Sequence, residues 1–161
     1  MSKFFFLTGF LSLFISCDSN RIFDEYKTIK NSHWKKNDTI KFNLTITDTV
    51  SAKNLFINIR NNNDYKYSNL YIITEIMAPN QFVTIDTLQY EMTDKTGKWL
   101  GKGFTDLKEN KLFFKENYRF KNKGNYHIKI IHAMRKNKET EGIEELEGIS
   151  TVGFRIESVK K

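Results

Sequence analysis

The chain has 161 residues, a net charge of +7, three histidines and one cysteine. A single cysteine excludes intramolecular disulfide bonds and zinc or iron–sulfur sites built from several cysteines, so a folded domain must rest on its apolar core. The sequence has no arginine-rich stripe and no aromatic RNA-binding signature, so we predict no nucleic-acid partner and regard attraction to an anionic membrane surface as the remaining effect of the charge.

The first element in the chain is an apolar segment in front of the cysteine. Lys3 supplies a positive start, residues 4–15 form a largely apolar stretch, and Ser16 directly precedes Cys17. This layout is that of a secretory signal peptide, and the stretch is too short to cross a membrane as a helix. A cysteine directly after the cleavage site matches the bacterial lipoprotein signal, in which the thiol receives diacylglycerol and the freed amine is acylated, with palmitate as an expected acid.

We therefore predict a lipoprotein signal peptide over residues 1–16 and lipidation of Cys17, the first residue of the mature chain. The alternative, an ordinary signal peptide with an incidental cysteine, fits less well because the polar residues 18–20 follow at once. Two or more acyl chains anchor a protein stably, so we expect a lipid-anchored protein of the cell envelope, at the outer membrane. Residues 17–36 are expected to form a lipidated lead-in, and residues 37–161 have the length of a single domain.

The mature chain alternates apolar and polar residues almost throughout, which is the pattern of β-strands with one buried face. In one segment, for example, apolar residues occupy every even position from Ile40 to Ile46. Seven segments are predicted to be strands in this way. They are residues 39–47, 55–59, 70–77, 83–92, 112–120, 126–134 and 152–156.

Two of the seven segments depart from simple alternation. Leu70–Met77 is apolar on both faces, which is typical of a more central strand. In residues 83–92 the apolar positions change phase near Asp86-Thr87, which predicts a β-bulge. Outside the strands, only residues 139–146 are expected to form a short helix.

Turn-forming residues separate the strands, with Asn, Asp, Gly or Pro in the connections. Seven strands at fairly even spacing, without alternating helices, predict an all-β fold: an antiparallel β-sandwich of the immunoglobulin-like type. Tyr126 follows a glycine turn one strand before the last and has two interpretations. Its hydroxyl ties down a corner of the sandwich, or Tyr126 is a half-buried strand aromatic without that role.

The sequence offers no catalytic constellation. His127 and His132 are five residues apart, so on one strand they face opposite sides and cannot share a metal ion; His33 lies in an early loop. Gly101-Lys102-Gly103 lacks the third glycine of a dinucleotide site, and tight turning between strands explains it better. We predict that the protein is not an enzyme and uses no cofactor, no metal ion and no small-molecule ligand.

Five glutamates lie close together in one polar segment. They lack the opposed environments that separate the acid from the base in a paired-carboxylate hydrolase. The segment is either a solvated loop or an isolated negative patch that a basic partner recognises, because the rest of the mature chain is basic. These residues are Glu139, Glu141, Glu144, Glu145 and Glu147.

Five longer stretches carry a family resemblance. They are CDSNRIFDEY (17–26), LFINIRNNNDY (55–65), YEMTDKTGKWLGKGFTDLKENKLFFKENYRF (90–120), IHAMRKN (131–137) and GISTVGFRIE (148–157). Together they resemble the gliding-motility lipoprotein GldH family of the Bacteroidetes, over essentially the whole mature chain. The family has no catalytic motif to transfer. The resemblance implies an envelope lipoprotein linked to the gliding and type 9 secretion apparatus, with other gliding or secretion lipoproteins as its partners.

Three Asp-Thr-apolar triplets resemble the site at which Bacteroidetes O-glycosylate exported proteins. A turn aspartate followed by a strand threonine would produce the same pattern, so both interpretations stay open. The triplets are residues 38–40, 48–50 and 86–88.

These observations favour a non-enzymatic interaction protein that binds its partner through loops at one end of the sandwich. The candidate residues are Asn61, Asn62, Asn63, Asp64, Tyr65, Trp99, Gly101, Gly103, Met134 and Arg135. Trp99 is either an interface anchor or a core residue. The alternative function is a glycan- or peptidoglycan-binding module that uses Trp34, Tyr65, Tyr67 and Trp99. An open row of exposed aromatic rings would favour sugar binding, whereas a flat apolar patch would favour a protein partner.

Overall fold

Antiparallel β-strands make up almost all of the regular structure in a computed structural model that describes residues 20–136 and 140–159. Cys17 and the predicted signal peptide lie outside these residues. The strands are β1 (Arg21–Thr28), β2 (His33–Lys35), β3 (Ile40–Ile46), β4 (Lys53–Asn61), β5 (Asn69–Met77), β6 (Val83–Glu91), β7 (Lys108–Tyr118), β8 (Gly124–His132), β9 (Glu145–Glu147) and β10 (Ile149–Ser158). A single 3-10 turn spans Lys30–Ser32, and none of the described residues forms a helix suited to crossing a membrane.

The strands form two four-stranded sheets and a short two-stranded ribbon. The first sheet has the order β1-β10-β4-β7, the second sheet has the order β3-β8-β5-β6, and β2 pairs with β9 in the ribbon. The pairs are nested along the chain, since β5 pairs with β6, β4 with β7, β3 with β8 and β1 with β10. The predicted all-β sandwich is confirmed. Its strand order is that of a jelly roll, which shares the two-sheet architecture of immunoglobulin-like domains but not their connectivity.

The nesting separates the connections into two ends. The long connections 62–68 and 92–107, the β2–β9 ribbon and the segment that leaves β8 lie together at one end, which we call the loop end. At the opposite end lie the start of β1, the end of β10 and the short turns 47–52, 78–82 and 119–123. We call this second end the tether end, because the chain reaches β1 there only four residues after Cys17, the predicted site of lipidation.

The core lies between the two sheets and is built from the inward-facing residues of each strand. In β3, for example, Ile40, Phe42, Leu44 and Ile46 are buried and the residues between them are exposed, as the alternation predicts. Phe154 of β10 lies at the centre of the aromatic contacts. Its ring centroid is between 6.0 and 6.4 Å from those of Phe23, Phe42 and Phe114.

Tyr126 is fully packed at the tether end of β8. Its hydroxyl donates a hydrogen bond to the Asn122 carbonyl at 3.0 Å and accepts one from the Asn122 backbone N–H at 3.2 Å. The bond returns to the chain four residues upstream and fixes the turn between β7 and β8. Of the two interpretations of Tyr126, the structure therefore confirms the corner-forming role.

All seven predicted strands are present, and the described part of the chain contains three more. The sequence misses β1 because a register irregularity between Arg21 and Phe23 disturbs its alternation. It misses β2 and β9 because three residues are too few for a period to be recognised. The helix expected over residues 139–146 is wrong, since Glu145–Glu147 is a strand that pairs with His33–Lys35.

The predicted bulge in β6 is also wrong. β5 and β6 pair without interruption, from Asn69 opposite Glu91 to Met77 opposite Val83. The change of phase instead marks two faces, because Leu88 and Tyr90 point toward the core whereas Val83 and Ile85 point outward and are exposed.

Trp34 of β2 closes the core at the loop end. Its side chain is completely buried, its indole N–H donates to the Asp38 carbonyl at 2.8 Å, and its ring packs edge-on against His132, with the centroids 5.3 Å apart. Neither ring nitrogen of the buried His132 has a hydrogen-bond partner among the described residues. Burial lowers the pKa of His132 below its ordinary value of 6.5, while Glu144 and the nearby Trp34 backbone oppose this shift and Lys36 adds to it.

We expect acid to destabilise the fold through His132. As the pH falls below 6.5, the unfolded chain takes up a proton at His132 that the folded chain does not accept until the pH reaches the lower folded-state pKa. The free energy of unfolding should therefore decrease with falling pH in this window. Urea denaturation at several pH values would measure the slope.

A His132→Phe variant is the control for this pH effect, because it keeps an aromatic ring against Trp34 but cannot be protonated. Its stability should depend less on pH between about pH 5 and 7 than that of the parent chain. His33 and His127 are unchanged in the variant, so they contribute equally to both curves. Equal slopes for the two proteins would contradict the assignment.

Candidate interaction surface

The outer face of the first sheet is covered by its own polar network. The Tyr26 hydroxyl donates to Glu109 at 2.8 Å, Arg60 pairs with the same carboxylate at 3.1 Å, and Arg155 pairs with Asp24 at 2.7 Å. Burial and the Glu109 carboxylate raise the pKa of Tyr26 to about 12, so its hydroxyl stays protonated and donates at neutral pH. The part of this face around Tyr26, Arg60 and Arg155 is therefore polar and poorly suited to burial against an apolar partner, while Phe113 is exposed beyond it on β7.

The outer face of the second sheet carries a group of apolar side chains among polar ones over its β5–β6 half. Ile85 is 64% exposed and lies opposite Glu75 in the sheet, and Ile73 lies opposite both Thr87 and Ile131. One ion pair, Lys129 to Glu75 at 2.7 Å, crosses this surface. We call the surface the apolar face and define it by its outward-pointing residues Tyr71, Ile73, Met77, Val83, Ile85 and Ile131.

β5 explains why this face is unusual. It lies between β8 and β6 in the second sheet, which confirms the central position that the sequence predicts for Leu70–Met77. Apolar residues on both sides of a strand are typical of a sheet covered on both faces. Among the described residues, only the inner face of this sheet is covered, by the first sheet. The apolar face is thus an exposed surface whose sequence suits burial.

A groove at the loop end continues this surface. It has a volume of about 890 Å³ and is open to solvent. Tyr71 and Gln89 belong both to its wall and to the outer face of the second sheet, so the groove and the apolar face are continuous. Its other lining residues include Lys66, Tyr67, Glu91, Asp94, Lys95, Leu100, Met134, Arg135 and Lys136.

Three of the predicted partner-binding residues are buried, and their side chains hold the loops of the loop end in position. Asn61 accepts a hydrogen bond from the Asn110 side chain at 2.9 Å. The Tyr65 hydroxyl donates to the Asn69 carbonyl at 2.7 Å, and burial raises its pKa well above its ordinary value. Met134 is buried beside the Tyr71 backbone. These side chains fix the loop end but expose almost no surface to a partner.

The predicted aromatic anchor Trp99 is half-buried. Its ring centroid is 6.2 Å from that of Tyr65, which in turn lies 5.7 Å from Tyr67. Trp99 therefore packs at the edge of the core rather than projecting from the surface. Arg135 is exposed on the groove wall.

The remaining predicted residues lie beside the groove rather than in it. Asn63 and Asp64 are exposed, and Asn62 is half-buried and accepts the Asp64 backbone N–H at 3.0 Å. Gly101 and Gly103 flank Lys102, whose backbone exchanges two hydrogen bonds of 2.8 Å with Glu109. This pairing joins the glycine segment to the start of β7, and tight turning at the glycine pair stays a prediction.

The aromatic residues proposed for sugar binding do not form an open row. Trp34 and Tyr65 are buried, and Tyr67 and Trp99 pack against or beside Tyr65. Stacking on a sugar requires a free ring face, which neither buried ring provides. The arrangement is closer to the flat apolar patch that favours a protein partner.

The acidic segment is not an isolated negative patch in its described part, residues 140–147. Glu144 pairs with Lys36 at 3.0 Å, Glu147 pairs with Lys66 at 2.9 Å, and Glu145 lies 3.5 Å from His33. The bond to Lys66 holds the pKa of Glu147 below its ordinary value. These contacts correct the idea of an unpaired acidic patch, while Glu139 lies outside the described residues.

His127 and His132 face opposite sides of β8, as the sequence predicts, whereas His33 lies in strand β2 and not in the early loop expected for it. His127 points outward and contacts the Asn43 side chain at 2.6 Å, whereas His132 points into the core. Residues 20–136 and 140–159 contain no group of three His, Cys, Asp or Glu side chains suited to a metal ion. Of the predicted glycosylation positions, Thr87 is exposed and Thr39 and Thr49 are half-buried, and their modification stays a prediction.

Sequence reasoning missed the apolar face itself. The signals were present in the two-sided apolar pattern of β5 and in the phase change along β6. The two-sided pattern was attributed to a central strand and the phase change to a β-bulge, and both are features of a sheet that is covered on its two faces. Read together, they indicate that the second sheet carries apolar residues on a face that its own domain does not bury.

Comparison with known proteins identifies close relatives over nearly the whole chain. A family model described as GldH lipoprotein matches residues 21–156. The chain is 54% identical over 145 residues to a protein of Christiangramia forsetii named "Gliding motility lipoprotein GldH homolog", covering 90% of this chain and 88% of the relative. It is 46% identical over 145 residues to "Gliding motility lipoprotein GldH" of Flavobacterium johnsoniae, covering 90% of this chain and 89% of the relative.

Among solved structures, the chain is similar to the VP2 subviral particle of infectious bursal disease virus. The TM-score is 0.42 and the sequence identity is 12%. The match covers 88% of this chain but 34% of the viral chain, so this protein spans about a third of that structure.

Proposed function

The chain belongs to the GldH lipoprotein family, the gliding-motility lipoproteins of the Bacteroidetes, and from this premise we propose that it is a non-enzymatic docking component of the motility and type 9 secretion apparatus. Its relatives are named lipoproteins, so the protein is a lipid-anchored component of the cell envelope. Within this proposal, Cys17 carries the lipid, the outer membrane holds it, and other gliding or secretion lipoproteins are the partners.

The apolar face is the observation that supports a docking role. Val83 and Ile85 are exposed beside Ile73 on a regular sheet, so burying them against another protein removes apolar surface from water and is favourable in free energy. The Lys129–Glu75 ion pair lies within this face, since Glu75 points outward between Ile73 and Met77, and the charged residues around the groove supply a polar border at the loop end. No constellation of catalytic side chains competes with this interpretation among the described residues.

A charge on the apolar face should disrupt docking. In an Ile85→Lys variant we expect the stoichiometric protein partners recovered with the lipidated protein from cell envelopes to fall by at least about tenfold, equivalent to ~1.4 kcal/mol of binding free energy. The side chain is mostly exposed, so the fold should persist. Quantitative mass spectrometry of the captured proteins would measure the loss.

Phe113→Lys is the matched control for this experiment. Phe113 is 58% exposed, close to the 64% of Ile85, but it lies on the outer face of the first sheet. Its substitution should leave capture unchanged. Equal recovery from both variants would contradict docking through the apolar face. Recovery of cell-wall fragments without a stoichiometric protein would favour the glycan-binding alternative instead.

A further inference from the structure

The tether end of the sandwich exposes apolar side chains at the tips of its turns. Val50 in turn 47–52 is 76% exposed, and Phe82 in turn 78–82 is 61% exposed. These two residues do not belong to the apolar face, and the docking role proposed above does not use them. Single exposed apolar side chains are ordinary on protein surfaces, so the meaning of these two depends on what surrounds them.

Both tips are held rigidly. The Asp48 carboxylate accepts the backbone N–H groups of Val50 and Ser51 at 2.9 and 3.1 Å and the ammonium group of the buried Lys53 at 3.0 Å. These bonds hold the pKa of Asp48 far below its ordinary value. Turn 78–82 is closed by backbone hydrogen bonds, from the Ala78 N–H to the Phe82 carbonyl at 2.9 Å and from the Gln81 N–H to the Ala78 carbonyl at 2.8 Å. Val50 and Phe82 are thus presented by fixed backbone.

The third turn at this end, residues 119–123, is basic. Arg119, Lys121 and Lys123 are exposed, and so is Arg21 at the start of β1. Arg119 donates to the Val50 carbonyl at 3.0 Å, which places its guanidinium beside the first apolar tip. Lys121 lines a cleft of about 300 Å³ together with Phe82, which places a second cation beside the other tip. Asp48, the carboxylate in these turns, already pairs with Lys53.

The lipid anchor brings this surface to a bilayer. The four residues from Cys17 to Arg21 reach at most about 14 Å when fully extended. β1 is about 26 Å long and runs away from this end, so the loop end lies much farther from the anchor than the tether end does. An anchor alone would leave the domain free to tilt. Apolar tips flanked by cations match the composition of surfaces that insert into the headgroup region of anionic membranes.

We propose that the tether end is a membrane-docking surface, in which Val50 and Phe82 enter the interfacial region of an anionic phospholipid bilayer and Arg119, Lys121 and Lys123 contact its phosphate groups. This inference rests on the anchor at Cys17 in the proposed function. Docking through the tether end holds the domain upright on the membrane and points the loop-end groove away from the lipid.

The test uses the full lipidated chain in vesicles made from equal parts of phosphatidylcholine and phosphatidylglycerol. Acylation blocks the thiol of Cys17, so an environment-sensitive fluorophore reacts only with an introduced cysteine. Ser51→Cys places the probe beside Val50. Thr105→Cys is the matched control, because it lies beside the exposed Phe104 at the loop end. The probe at residue 51 should shift its emission to the blue and be quenched by nitroxide-bearing lipid, and the probe at residue 105 should do neither.

Two further variants test the chemistry. Phe82→Ser should weaken the quenching at residue 51, and so should joint Lys121→Glu and Lys123→Glu substitution or vesicles of phosphatidylcholine alone. Equal, water-like emission from both probe positions would overturn the proposal. Quenching of equal strength in vesicles of phosphatidylcholine alone and in the Lys121→Glu, Lys123→Glu variant would overturn the proposed contact between the basic turn and the lipid phosphate groups. If the protein does not float with the vesicles at all, the anchor has failed, which is distinct from failed docking by an anchored domain.

Discussion

A mature chain that begins at Asp18, without the lipidated cysteine, is expected to leave the membrane fraction almost completely. It can be produced by replacing residues 1–17 with an ordinary cleavable signal peptide. Each buried methylene of an acyl chain contributes ~0.8 kcal/mol, so two or three chains dominate membrane attachment. A few exposed apolar and basic side chains do not replace them. Fractionation of envelopes, followed by immunodetection, would measure the distribution.

Ser19→Ala is the control for the anchor experiment, because it alters the same short segment but keeps Cys17. It should stay with the membrane, and mass spectrometry of its first peptide should show the added acyl mass at Cys17. Retention of the Asp18 form in washed membranes would contradict an anchor at that residue. So would an unmodified thiol at Cys17 in the native protein.

Replacing Trp34 by alanine should have the largest effect on stability. Trp34 is fully buried, donates one hydrogen bond to Asp38 and covers His132. Removal of a buried tryptophan costs about 3–5 kcal/mol, which is a large part of the 5–15 kcal/mol that stabilises a typical domain. Urea denaturation of the mature domain at neutral pH should show this decrease in the free energy of unfolding.

Trp99→Ala is the matched control for Trp34→Ala, since it removes the same side chain at the same end of the sandwich. Trp99 is half-buried at the edge of the core, so its loss should cost clearly less. Equal losses for the two variants would contradict the role of Trp34 as the residue that closes the core. Trp34→Phe should fall between the parent and Trp34→Ala, because it keeps a ring but not the indole N–H.

Much of the fold could be predicted because its strands are half-buried. The alternation of β3 translates directly into a buried and an exposed face, and β5, β6 and β8 follow the same rule. β1 could not be found in this way, because its irregular register breaks the period and only pairing with β10 defines it. The strand order also depends on pairings between distant segments, which no local pattern encodes.

The candidate surface was harder to predict than the fold. Asn61 and Tyr65 look like surface loop residues in the sequence, but their polar atoms are satisfied inside the domain by Asn110 and the Asn69 carbonyl. Conversely, Ile85 looks like a core residue and lies on the outside. The partner of Asn61 lies 49 residues away in the sequence, whereas that of Tyr65 lies only four residues away, and no local alternation pattern shows either contact.

The pairing of β1 with β10 has a consequence for biogenesis. β1 is the first strand to emerge when the chain is synthesised or exported, yet its one neighbour in the sheet is the last strand of the chain. The domain therefore cannot complete its first sheet until nearly every residue has crossed the membrane. Pairing between such distant strands slows folding, and a chain that folds slowly stays extended for longer during translocation. It also means that a chain truncated before Ile149 leaves β1 without its partner strand.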